Sequence, residues 1–157
     1  MKIAEILSVG DELLSGNVVD TNASWLSKEL GSLGFRVAFR QTCGDEESAI
    51  RESLERALSR AELVLVTGGL GPTYDDITRQ VTASVFGVPL LHDEAVEKKL
   101  RAYFARRGVQ MSENNLLQAQ VPEGATVLEN DWGTAPGLWL KGEKGSAVLL
   151  PGVPNEM

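Results

Sequence analysis

The stretch Leu63-Val64-Leu65-Val66-Thr67-Gly68-Gly69-Leu70-Gly71-Pro72-Thr73-Tyr74-Asp75-Asp76 decides the fold. Its short apolar run reads as a strand buried on both faces. The glycines end that strand, and a helix is expected from about Asp76 to Phe86. Toward the N-terminus the same alternation recurs. Ile3 to Val9 reads as a buried strand ending at Gly10. Asp20 or Thr21 caps a helix whose stripe is Leu26, Leu30 and Leu33, and Gly34 stops it. Phe35 to Thr42 reads as a strand. Asp45 sits where an N-cap belongs, ahead of Ile50, Leu54 and Leu58 at helical spacing. Strand, helix, strand, helix, strand predicts a parallel sheet with crossover helices.

Downstream, a helix is expected from Asp93 to Arg107, and Ser112 caps a shorter piece through Gln118. Ala125–Leu128, Gly137–Leu140 and Ser146–Leu150 read as strands, the last two joined by a hairpin turn over 141–145. The sheet is therefore expected to be mixed, with an antiparallel portion near the C-terminus. The chain has 157 residues and shows no linker or repeat, so one domain is expected. It ends where Asn155 offers to cap a further helix, which points to a piece of a longer protein.

Composition narrows the function. A net charge of −7 argues against a nucleic-acid binder. No apolar run is long enough to span a bilayer. The single cysteine, Cys43, forms no internal disulfide, and a reducing, cytoplasmic setting is expected.

Ligands of parallel sheets bind at the carboxyl ends of the strands. Gly10-Asp11-Glu12, Cys43-Gly44-Asp45 and Gly68-Gly69-Leu70-Gly71 all fall there. Gly68, Gly69 and Gly71 allow backbone N–H groups to converge on an anion, and Thr67 and Thr73 flank them. The loop has neither the P-loop lysine nor the GxGxxG spacing. Asp75 and Asp76 follow at once. Two like unit charges ~4 Å apart repel by about 4 kcal/mol at an effective dielectric near 20. A divalent cation, Mg²⁺ or Co²⁺, reverses that sign, since Mg²⁺ commonly binds a carboxylate or two plus phosphate oxygens. Asp11, Asp75 and Asp76 are the candidate metal residues, and Asp11, Asp45 and Asp76 the candidate catalytic ones. Asp75 and Asp76 also suit a plain helix cap, as do Asp20 and Asp45.

Gly10, Ser15 and Gly16 extend the first acidic loop. The stretch Asn130 to Gly137 and the segment Pro151, Gly152, Pro154 and Asn155 have rigid, backbone-exposing chemistry that suits a planar ring, a ribose or a second phosphate. Both also read as turns closing a hairpin. Trp25 and Trp139 read as packing residues, and His92 has no partnering motif.

Four motifs, GDELLSG with DTN after it, TGGLGPTYDDIT, ENDWGTAPG and LPGVPNEM, resemble the N-terminal domain of the CinA family, competence and damage-inducible protein A, within the MoaB/Mog superfamily. The resemblance covers essentially the whole chain. It implies a three-layer α/β/α fold with a mostly parallel sheet, and a homo-oligomer, either dimer or trimer. It implies a nucleotide or pterin ligand, held at residues matching Gly68, Gly69, Gly71, Asp45 and Asp76. For the CinA-type domain it implies metal-dependent hydrolysis of ADP-ribose. A molybdopterin- or nucleotide-binding module without turnover, and a Mog-like molybdopterin adenylyltransferase, are the alternatives. Leu70 stands where the Mog pattern has threonine, and Tyr74 where it tends to be basic, which weighs against the adenylyltransferase.

Overall fold

The computed structural model describes residues 1–157. Its centre is a six-stranded sheet in the order β2-β1-β3-β8-β7-β6. β1 is Lys2–Val9, β2 Phe35–Cys43, β3 Leu63–Thr67, β6 Thr126–Leu128, β7 Gly137–Gly142 and β8 Gly145–Leu150. β2, β1, β3 and β8 run parallel, whereas β7 is antiparallel to both β8 and β6. The mixed sheet expected from the sequence is the one observed.

The alternation along the strands explains the layers. On β3, Val64 and Val66 join the larger core, with Leu7, Val9, Leu138, Ala147 and Leu149. Helix α3 (Glu47–Leu58) covers that face through Ile50, Leu54 and Ala57, and α4 (Thr78–Phe86) through Val81. The intervening residues Ala4, Ile6 and Leu65 turn to the other face, under Ala23, Leu26 and Leu30 of α2 (Thr21–Ser32). Both faces of the central strands are largely apolar because both are covered, the charged exception on β1 being Glu5, which is buried and held by Arg60. No helix is long and apolar enough to cross a membrane.

Several boundaries differ from expectation. Gly10 leads not into an open loop but into a short helix, α1 (Asp11–Leu14). The N-cap of α3 is Glu46, with no side-chain cap bond, because Asp45 is turned away toward Asp11. Helix α4 begins at Thr78, so neither Asp75 nor Asp76 caps it. Asp20 does cap α2, accepting from the Ala23 N–H at 3.0 Å. Asp93 likewise caps α5 (Glu94–Arg106). The piece after Ser112 is a 3-10 helix, Glu113–Ala119, held by a capping box with Asn115. β4 (Leu90–His92) and β5 (Gln120–Pro122) form a separate antiparallel pair, flanking α5, that pattern reading does not reveal. Trp25 is half-exposed on α2 rather than packed, while Trp139 is partly buried with Lys141 Nζ 4.2 Å from its ring centre.

Candidate functional site

The carboxyl ends of β1, β2, β3 and β8 share one edge, which sets three loops and the C-terminal segment side by side. Each is anchored to its neighbour. The Gly10 N–H donates to the Cys43 carbonyl at 3.0 Å, and the Gly68 N–H to the Leu150 carbonyl at 3.1 Å. Asn22 Nδ2 donates to the Gly152 carbonyl at 2.8 Å. Gly152 packs on the Cα of Gly68, and a side chain at Gly68 would run into the Val9 carbonyl. That close approach, with φ of +96°, is why Gly68 is glycine.

The glycine loop carries unpaired donors, of which those of Gly69 and Gly71 belong to partly exposed residues. The N–H groups of Gly69, Leu70 and Gly71 donate to no backbone carbonyl. Two carbonyls of the loop, by contrast, are held from behind. Gly69's accepts from the Thr78 N–H at 3.2 Å, and Leu70's from Arg79 Nη2 at 2.9 Å. Leu70 is buried whole, at 1% exposure, with its side chain in the core and its backbone covered as well. Pattern reading missed Arg79, which is buried beneath this loop; an arginine early in a helix gives no sign of burial.

The carboxylates divide into two groups. Asp11 and Asp45 bind each other reciprocally: the Asp11 N–H donates to Asp45 Oδ2 at 3.0 Å and the Asp45 N–H to Asp11 Oδ1 at 3.2 Å. Burial raises the Asp45 carboxyl above its ordinary range; the bond from Asp11 opposes this, and the charges of Asp11, Glu12 and Asp75 add to the rise. Asp76 instead folds over Gly71 and closes its own loop. Its Oδ2 accepts from the Thr73 N–H at 2.9 Å and the Thr73 hydroxyl at 2.6 Å. Asp75 is exposed. No three acidic, histidine or cysteine side chains converge on a point that could hold a metal ion. The candidate metal residues Asp11, Asp75 and Asp76 therefore form no single cluster, and the adjacent pair is Asp11 with Asp45.

A cleft of about 60 Å³ lies among Val9, Glu12, Asp20, Asn22, Thr67 and Gly152, and Pro154 also lines it. Ser8 Oγ donates to Asp20 at 2.5 Å on its inner side. Thr67, Gly152 and Pro154 are thus brought together at this edge. Ser15 and Gly16 sit exposed at the end of α1, where the Ser15 hydroxyl bonds the Glu12 carbonyl. Asn155 is exposed in a short 3-10 turn, Pro154–Glu156. Gly137 and Pro151 are buried, and Gly137 packs against Leu128 inside the sheet, so neither presents itself to a ligand. The two backbone-exposing loops do meet: Asn130 Nδ2 lies 3.5 Å from Glu156. Cys43 is buried and its thiol is pushed up to about 11, chiefly by burial, which leaves it unreactive. Two larger cavities lie elsewhere. One of about 320 Å³ separates α5 from the loop 129–136, and one of about 650 Å³ adjoins the β7–β8 turn at the opposite edge.

A family model described as "Probable molybdopterin binding domain" matches residues 5–157. A "CinA-like protein" of Dictyoglomus turgidum is 47% identical over 154 residues, which make up 98% of this chain and 37% of that protein. The chain therefore spans little more than a third of that curated relative. The crystal structure of a CinA protein of unknown function from Thermoplasma acidophilum superposes with a TM-score of 0.89 at 34% identity, covering 99% of this chain and 91% of that one. The molybdopterin biosynthesis enzyme MoaB of Thermus thermophilus superposes with a TM-score of 0.64 at 20% identity, covering 98% and 83%, and shares the fold.

Proposed function

The chain belongs to the molybdopterin-binding-domain family, among its CinA-like members, and from that premise we propose that it hydrolyses the diphosphate of ADP-ribose or a similar nucleotide with a divalent cation. The observation that carries this reading is the pair of unpaired N–H groups at Gly69 and Gly71, partly exposed and bordered by carboxylates. Bare donors favour a phosphate, and an acidic border tolerates one only when a cation lies between. Bound Mg²⁺ or Co²⁺ would supply Lewis acidity and a more acidic water.

The chain's own groups then take distinct roles. The glycine loop holds one phosphate. Asp11 and Asp45 each keep a second carboxylate oxygen for the cation or the attacking water. Asp45, raised above the usual carboxylate range, is suited to accept the water's proton. Asp76 holds the loop in shape through Thr73, and Asp75 adds negative charge at the border. The protein would work in the cytoplasm as a homo-oligomer, since exposed Leu14, Val18, Val19 and Val153 stand beside the cleft.

A second reading, a nucleotide- or pterin-binding module without turnover, is favoured by the size of the cleft. About 60 Å³ is far below the ~300–1,000 Å³ of a typical small-molecule site. Incubation with ADP-ribose and Mg²⁺ or Co²⁺ separates the two. Hydrolysis predicts AMP and ribose 5-phosphate only when the cation is present. Calorimetric binding of ADP-ribose with no AMP supports the module, and binding of molybdopterin alone makes the ligand a pterin.

A further inference from the structure

Arg79 is out of place by ordinary rules. It is the second residue of α4, where the helix dipole favours anions, and arginine is seldom fully buried without a charged partner. Here it is 1% exposed and forms no ion pair within bonding distance of a carboxylate. Its Nη1 donates to the Leu117 carbonyl at 3.0 Å and its Nη2 to the Leu70 carbonyl at 2.9 Å, while Nε has no partner. Burial lowers the guanidinium to about 10, with Asp76 pulling the other way, so the group stays charged at neutral pH. A buried cation held only by carbonyls is a costly arrangement for stability alone.

Peptide geometry shows what it achieves. No peptide bond is cis, so the C=O and N–H of each unit point in opposite directions. Arg79 draws the Leu70 carbonyl inward and thereby turns the Gly71 N–H outward. The Thr78 N–H holds the Gly69 carbonyl of the preceding unit at 3.2 Å and braces the loop from the same side. The Gly71 N–H fixed in this way meets no backbone carbonyl, and Gly71 is partly exposed. The second bond ties the loop to the 3-10 helix Glu113–Ala119. From there Gln118 Nε2 reaches Thr134 Oγ1 at 2.9 Å, on the loop 129–136.

Resting on the reading of the glycine loop as a phosphate cradle, we propose that Arg79 is its positioning residue: it locks the Leu70–Gly71 peptide with the donor outward and sets a positive charge behind the loop that a bound phosphate offsets. An anion arriving at Gly71 therefore changes the surroundings of a side chain it never touches.

The test uses ADP-ribose with Mg²⁺, followed by ¹⁵N NMR. In the wild-type chain the Gly71 amide and the Arg79 Nε resonance are expected to shift together, with one midpoint. Arg79→Met is expected to lose tenfold or more in affinity, and Arg79→Lys, which keeps the charge and one donor to Leu70, to recover most of it. The proposal is overturned if Gly71 shifts while Arg79 Nε stays still, or if a folded Arg79→Met binds within twofold of wild type. The wild-type measurement decides even when a variant fails to fold. If no amide from Gly69 to Gly71 moves in the wild-type chain, the cradle itself is wrong, and Arg79 loses its role for that separate reason.

Discussion

At the scale of single residues, Asp45 shows the tension in the site. It gains one N–H bond from Asp11 and lies near the charges of Asp11, Glu12 and Asp75, all while partly desolvated. Its folded pKa is raised, so the native state holds the proton more tightly than the unfolded state. Stability from this group then falls as pH rises from the ordinary carboxylate range through the raised value, and stays lower above it. Asp45→Asn keeps an acceptor for the Asp11 N–H and removes the charge. The variant is therefore expected to be slightly more stable than wild type at pH 7. Discounted for solvent screening, the gain is up to about 0.5 kcal/mol, or ~1–2 °C in Tm. The gain should fade as pH falls through the ordinary carboxylate range, below which both states of the wild-type carboxyl are protonated. Thermal melts of both proteins from pH 3 to 8 check this, and a variant less stable at pH 7 than at pH 3, relative to wild type, contradicts it. The same substitution removes the proposed proton acceptor, so stability rises where function is lost, as at many active sites.

At the scale of elements, the segment from β3 to α4 works as a unit. Gly68 and Gly69 turn at positive φ, Pro72 follows, and Asp76 reaches back to Thr73 before the helix starts at Thr78. Asp76→Ala would free the Thr73 N–H and hydroxyl but leave the sheet and the Arg79 anchor in place. The expected outcome is local. Amide exchange should quicken at Thr73 and its neighbours, while global stability falls by only about 1 kcal/mol, since these bonds are solvent-exposed. Hydrogen exchange against a urea melt measures both; a loss of cooperative unfolding would show that the loop carries more of the fold than this.

The strands of this unit were legible in the sequence because burial on both faces demands continuous apolar runs, as at Leu63–Val66. The helices were legible from their stripes, as at Ile50, Leu54 and Leu58. Three things were hidden, each because a tertiary partner decides it. Asp45 satisfies every local rule for a cap, yet Asp11, 34 positions away, takes its carboxylate. The strands Leu90–His92 and Gln120–Pro122 are too short to carry a pattern and exist only as a pair. Arg79 looks like any exposed helix charge until the carbonyls of Leu70 and Leu117 close around it.

At the scale of the whole molecule, charge sets the conditions for binding. The chain carries a net charge of −7, and Asp11, Glu12, Asp45, Asp75 and Asp76 all stand near the edge proposed to receive the nucleotide. Arg79 offsets this only at short range, from beneath the loop. Without a divalent cation, the long-range field repels ADP-ribose. Monovalent salt screens that field over a Debye length of ~10 Å at 0.1 M, so affinity in EDTA should rise as NaCl goes from about 20 to 200 mM. With saturating Mg²⁺ the local sign at the site reverses, attraction replaces repulsion, and the same salt series should weaken binding. The opposite slopes are the expected signature, read by calorimetry under both conditions. If affinity in EDTA already falls with added salt, the ligand is met by positive charge, and a cation is not what reconciles the unpaired N–H groups with their acidic border.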